Sequence, residues 1–178
     1  MAIKRMNGQK TTLWFIKASV YPSGPPATLS LATLSAAITG TNMINITDAV
    51  QQGYTLSATD SDTQDAKSVG DYGNAQARGA GNFEASIDIF RENDPVTNTT
   101  SDYLLAYNLF KAGRVDGYLM KRFGYAKTVA LAVAQKVSIF QVTSDYPTDI
   151  PGEGGGPVGM HIPFAQQGWM LLNEPIVA

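Results

Sequence analysis

Asn82-Phe83-Glu84-Ala85-Ser86-Ile87-Asp88-Ile89-Phe90-Arg91 is the stretch on which the fold turns. Phe83, Ala85, Ile87 and Ile89 fall on one side of an extended chain, and Glu84, Ser86 and Asp88 fall on the other. That period of two marks a strand with one face in a core and one in water. Glu84 and Asp88 share the wet face but are well separated along it, and with no pocket or polarising partners legible around them they read as a solvated face.

Two other segments alternate without becoming polar. Thr11 to Ala18 sets Leu13 and Phe15 against Trp14, Ile16 and Ala18, and Gln135 to Ser144 sets Val137 and Ile139 against Phe140 and Val142. Antiparallel sheets of small domains usually keep one face wet, so such strands need cover on both sides. A fully sandwiched central strand provides it, and so does a subunit interface. On the second reading Trp14, Ile16, Phe140 and Val142 are interface candidates.

The rest of the chain supplies more strands. Thr41 to Asp48 and Gly53 to Thr59 read as strands of a meander or hairpin, Val115 to Phe123 as another, Val158 to Phe164 as another, and Trp169 to Leu172 as the last. Thr28 to Ala37 reads as a short helix with Leu31 and Leu34 inward. A helix from Thr100 to Ala112 has N-caps in Thr99 to Ser101, an acid in Asp102, a stop at Gly113, and an anchoring stripe of Tyr103, Tyr107 and Phe110. Asp60 to Gly81 is too polar to offset its ordering entropy by burial and reads as a long loop, as does 145–157 with its run of glycines. The expectation is one mainly β domain over 1–178: a β-sandwich or barrel of about seven or eight antiparallel strands with one flanking α-helix.

Composition narrows the function. With 178 residues, a net charge of -2 and scattered Lys and Arg, the chain has no basic patch for gripping phosphates. It has no cysteine, which removes thiolate chemistry and cysteine-held zinc. The apolar run after Met1 to Lys10 is too short for a signal peptide or a membrane span, so the chain is expected to stay in a cytosol. The single histidine, His161, sits mid-strand and reads as a sheet-face residue. Asp60, Asp62 and Asp65 resemble a calcium loop, but Asp65 stands where the turn glycine belongs and Asp71 where a bidentate Glu belongs. No catalytic residue, metal site or cofactor is expected, and the chain reads as a non-enzymatic protein that assembles with itself.

Three stretches carry a family resemblance. Gly81-Asn82-Phe83-Glu84 running to Ile89-Phe90-Arg91-Glu92-Asn93-Asp94, then the short helix, then Gly117-Tyr118-Leu119-Met120-Lys121-Arg122, resemble the major tail (tail tube) proteins of long-tailed bacteriophages. An upstream Thr28-Leu29-Ser30-Leu31-Ala32-Thr33-Leu34-Ser35-Ala36 matches that family's Thr-Leu-x-x-Leu segment, although it lacks the acidic residues often found there. The resemblance implies a flanked β-barrel or sandwich and hexameric rings stacked into a tube within the virion. It also implies contacts with other tail proteins such as tape measure and terminator, and double-stranded DNA passing through unheld, with no membrane partner. A lumen wall must not hold phosphates, which makes Glu84, Ser86 and Asp88 lumen-facing candidates. The polar segment 60–81, through Asp62, Asp65 and Arg78, is the expected contact with the next ring, ordering as it binds. A tube subunit of a phage-derived injection or secretion machine, and a monomeric β-sandwich binding module, are the alternatives.

Overall fold

The computed structural model describes residues 10–65, 76–78, 81–152 and 157–178. The deciding stretch forms strand β7, Asn82–Phe90, with Phe83, Ala85, Ile87 and Ile89 buried and Glu84 exposed. β4, Thr55–Thr59, pairs along one edge, placing Leu56 opposite Ala85 and Ser57 opposite Glu84. β11, Gly159–Val177, pairs along the other edge, placing Ile162 opposite Ile87 and His161 opposite Asp88.

β11 corrects the expectation of two separate C-terminal strands, because it runs unbroken for 19 residues. After pairing with β7 it continues along β9, Lys136–Ser144, with register shifts between Gln166 and Met170 and between Leu171 and Glu174. Gly168 (φ 73°) and Asn173 (φ 57°) sit in those shifts, and such left-handed residues let a strand bend without ending. The tip of β11 pairs in parallel with β2, Leu29–Ser30.

From β9 the sheet continues through β8, Asp116–Phe123, and β1, Thr11–Lys17, to β3, Met43–Asn45, giving the order β3-β1-β8-β9-β11-β7-β4. With β2 and β10, Thr148–Ile150, both on β11, the sheet has nine strands among the described residues. The mainly β class is as expected, but the strands outnumber the seven or eight expected. The 145–157 stretch is not all loop, since it contributes β10. The 60–81 segment is not wholly loop either: β5, Thr63–Asp65, and β6, Gln76–Arg78, form a two-stranded antiparallel hairpin. Backbone pairing meets part of an ordering cost that side-chain polarity alone made look prohibitive.

β3 and β4 are not partners in a hairpin; they lie at opposite ends of the sheet order. The chain between them buries Ile46 and Ala49 and bridges Val50 to Ile89, so it crosses over the core instead of turning back. The Thr47 hydroxyl fixes the start of that crossing by accepting from Leu13 N (2.9 Å) and donating to the Asn45 side chain (2.6 Å).

Among the described residues two α-helices flank the sheet, the one expected from Thr100 to Ala112 and the short one read at Thr28 to Ala37. α2, Asp102–Phe110, is capped by the Ser101 hydroxyl, which accepts from Leu104 N at 3.1 Å, with Asp102 in its first turn. Phe110 is fully buried against Phe15 (5.1 Å between ring centres) and Phe164 (5.6 Å). The expected stripe holds only in part: Tyr107 is partly covered, Tyr103 is 36% exposed, and Ala106 is buried instead. A helix of nine residues lies over the core by its last two turns, so Tyr103 overhangs the edge. α1, Leu31–Thr39, buries Leu34 and Ala37, while Leu31 is half-buried.

The sheet curls so that the two faces of its central strands meet different cores. Leu13, Phe15, Leu119, Phe140 and Val142 join Leu56, Phe83, Ile87 and Phe110 in one core. Trp14, Ile16, Tyr118, Met120, Val137 and Ile139 join Leu34, Ala37 and Ile176 in the other. The two-faced strands are therefore sandwiched by their own chain. Trp14, Ile16, Phe140 and Val142 are all at or below 5% exposure, which removes them as interface residues.

Candidate functional site

The strongest feature of the outer surface is a sheet region that no helix among the described residues covers. Outward residues of β4 and β7 form it: Thr55 and Ser57 opposite Ser86 and Glu84, with Asp88 and His161 beside them. Glu84 and Ser57 are exposed, and Ser86, Thr55, Asp88 and His161 are half-buried. The sequence reading of Glu84, Ser86 and Asp88 as one wet face agrees with this placement, while β1, β8 and β9 are covered on both faces.

The face has one close polar pair, between His161 Nδ1 and Asp88 Oδ1 at 2.5 Å. It is a cross-strand contact on an open surface, with the side chains 42% and 43% exposed. Among the described residues, no group of three or more His, Asp or Glu side chains converges as a metal site would require. The arrangement presents hydroxyls and scattered carboxylates, a surface that repels or ignores polyanions.

Of the three loop candidates, Asp62 is exposed, and its carboxylate accepts from Asn82 Nδ2 at 2.8 Å. Asn82 in turn accepts from Gln166 Nε2 (3.3 Å), and the Gln166 side-chain oxygen accepts from Phe83 N (2.9 Å). This network ties Asp62 to β7 and β11. The backbone of Asp65 opposes Gln76 and that of Arg78 opposes Thr63. The side chains of Asp65 and Arg78, and position 71 of the calcium-like reading, lie outside the described residues.

A second feature was not anticipated. Arg122 is fully buried with no carboxylate partner among the described residues. Its guanidinium donates to Thr12 Oγ1 (3.2 Å), to Gln135 Oε1 (2.8 Å), and to the backbone oxygens of Ala126 (3.2 Å), Val129 (2.8 Å) and Ala130 (3.2 Å). It lies between the rings of Trp14 (4.9 Å) and Tyr125 (5.1 Å). Burial lowers its pKa from the usual arginine range, but neutral dipoles from every side hold the charge in place. One buried side chain thus fixes the excursion between β8 and β9, on which Tyr125, Val129 and Val133 are exposed.

A groove of about 560 Å³ lies beside that excursion, lined by Lys121, Phe123, Tyr125, Ala134, Lys136, Val137, Ser138 and Asn173. Lys121 is half-buried, its ammonium 5.0 Å from the Phe123 ring centre and donating to Leu56 O, and burial lowers its pKa. At the other end of β8 and β9 lies a cavity of about 500 Å³ whose lining includes Tyr21, Asp116, Tyr118 and Thr143. No described helix is long and apolar enough to cross a membrane.

A family model described as phage tail tube protein matches residues 1–178. No curated protein matches. Among solved structures, a chain in a six-fold symmetrised cryo-EM structure of the anti-feeding prophage baseplate is similar at a TM-score of 0.50 and 12% identity, over 96% of this chain and 97% of that one. At that identity the likeness concerns the fold.

Proposed function

The chain belongs to the phage tail tube protein family, and on that premise we propose that it is the ring-forming subunit of the tube. As a member it is a structural protein of a phage-type tail. In the proposed assembly, copies close into hexameric rings, the rings stack, and double-stranded DNA passes through the lumen without being held. The observation that carries this reading is the bare polar face of β4 and β7. A sheet packed on one side only, carrying hydroxyls and the carboxylates Glu84 and Asp88, suits a wall past which a polyanion must slide. Those residues line the lumen in this reading.

The 60–81 segment then makes contacts between rings, with Asp62, Asp65 and Arg78 meeting the neighbour. Tape measure and terminator proteins meet the tube at its bore and its end. Electron microscopy of the purified protein at high concentration is the test. Rings or tubes with six-fold symmetry are expected, and a protein that stays monomeric under every salt condition sinks the reading in favour of a binding module.

A second reading is a tube subunit of a phage-derived injection machine, supported by the fold likeness to the prophage baseplate chain. The two separate on content: particles containing this subunit and DNA favour the tail tube, and particles that never contain DNA favour the injection machine.

A further inference from the structure

We propose that the two ends of strands β8 and β9 are plug and socket for head-to-tail docking between copies of this chain, an inference that rests on the tube reading. The socket is the groove at the end where β8 finishes and β9 begins. Phe123 is 44% exposed there, Tyr125 and Lys136 line the groove with it, and the Lys121 ammonium lies 5.0 Å from the Phe123 ring centre. The plug is the corner just past the end of β9. Tyr146 is 56% exposed there, and the carboxylates of Asp145 and Asp116 are exposed beside it.

Register places the two features apart. Arg122 pairs with Val137 at the socket end and Asp116 with Thr143 at the plug end. Along the nine residues of β9 they are separated by about 25–30 Å, at the ~3.4 Å rise of a strand. Their chemistry is complementary: an aromatic groove lined by two lysines at one end, and at the other an exposed ring beside two carboxylates that outnumber the one guanidinium, that of Arg114. The plug is also held in shape. Asp145 Oδ1 accepts from Tyr146 N (2.7 Å), Asp116 Oδ1 accepts from the Thr143 hydroxyl (2.6 Å), and the Arg114 guanidinium lies 5.2 Å from the Tyr146 ring centre. The socket is held by the Arg122 contacts to the β8–β9 excursion.

A ring of this kind entering an aromatic pocket makes a hot spot, and the flanking charges set orientation. Because plug and socket lie on different ends of one chain, the contact is heterologous and propagates. The occupant of the groove is thus a second copy.

Two variants test this. Phe123→Ser with Lys136→Asp disables the socket, and Asp145→Lys with Tyr146→Ser disables the plug. Both pairs are at exposed positions, and far-UV circular dichroism checks that each variant keeps its strands. At concentrations where the unaltered protein elongates, each variant alone is expected to stop at one unit, a chain or a ring. An equimolar mixture is expected to double that unit's mass in sedimentation and grow no further, since each partner retains one working end. Elongation of either variant alone overturns the docking while leaving the tube reading intact, and so does a mixture of folded variants that fails to double. If the unaltered protein never associates, both fall together.

Discussion

Replacing Arg122 by Met removes the guanidinium while keeping an unbranched apolar stem in place. Three backbone oxygens, of Ala126, Val129 and Ala130, lose the guanidinium as donor, as do Thr12 Oγ1 and Gln135 Oε1, while Ala126 O keeps Val129 N and Ala130 O keeps Gln135 Nε2. The excursion is largely exposed, so water can replace part of what is lost, and about 1 kcal/mol for each of the three carbonyls is the appropriate scale. Loss of the cation between the Trp14 and Tyr125 rings adds about 1 kcal/mol. Removing a charge that was costly to bury works the other way, leaving a net loss of about 3–4 kcal/mol. For a chain of this length that lowers Tm by roughly 10 °C. Differential scanning calorimetry reads the global effect, and hydrogen exchange reads the local one at the amides of Val129 and Ala134, which donate to Ala126 O and Ile176 O. A variant that melts within about 2 °C of the parent, with unchanged exchange at those amides, refutes the view that Arg122 holds the excursion.

Other expectations follow from the same contacts. Phe110→Ala should cost about 3–5 kcal/mol by denaturant unfolding, whereas Tyr103→Ala should cost under about 1 kcal/mol, since that ring is 36% exposed. Tyr21→Phe should leave stability unchanged or raise it, because the buried Tyr21 hydroxyl has no hydrogen-bond partner among the described residues. Burial holds the phenols of Tyr21, Tyr54 and Tyr118 above their ordinary pKa of 10.0, so the unfolded chain releases those protons first and stability should fall as pH rises past about 10. Lys121, lowered by burial, opposes this with a single group, so a melting temperature that rises from about pH 9 to about pH 11 would contradict the balance. Glu84→Lys with Asp88→Lys should spare folding and ring formation but slow or trap DNA, and normal infectivity of phage carrying both changes would remove these residues from the lumen.

The parts readable from sequence are those whose pattern is local. β7 alternates because each residue's face is set by its own place in the pleat, and α2 carries its cap at Ser101 and its first-turn acid at Asp102. What failed was non-local. Nothing in Thr41 to Thr59 says that its two strands join opposite ends of a sheet, because the crossing depends on Ile46 and Ala49 meeting residues far along the chain. Similarly, β11 does not end at Phe164 as expected, because it changes partner from β7 to β9 after Pro163 and absorbs Gly168 in a register shift.

The two-faced strands show where such reading stops and what replaces it. Alternation in β1 says that both faces are covered but not by which molecule. The cover came from Leu34 and Ala37 of α1 on one side and Phe110 of α2 on the other. The string Gly117-Tyr118-Leu119-Met120-Lys121-Arg122 then has an internal explanation. A Cβ at Gly117 would sit 2.4 Å from Ile16 O, Tyr118 and Met120 fill one core, Leu119 fills the other, and Arg122 holds the β8–β9 excursion. A string used up in this way carries the fold. Of its six residues only Lys121 reaches the groove that we assign to a second copy. Surfaces for assembly must therefore come mainly from positions the string leaves free, such as Phe123, Lys136 and Tyr146, which are exposed and on which the core makes no demand.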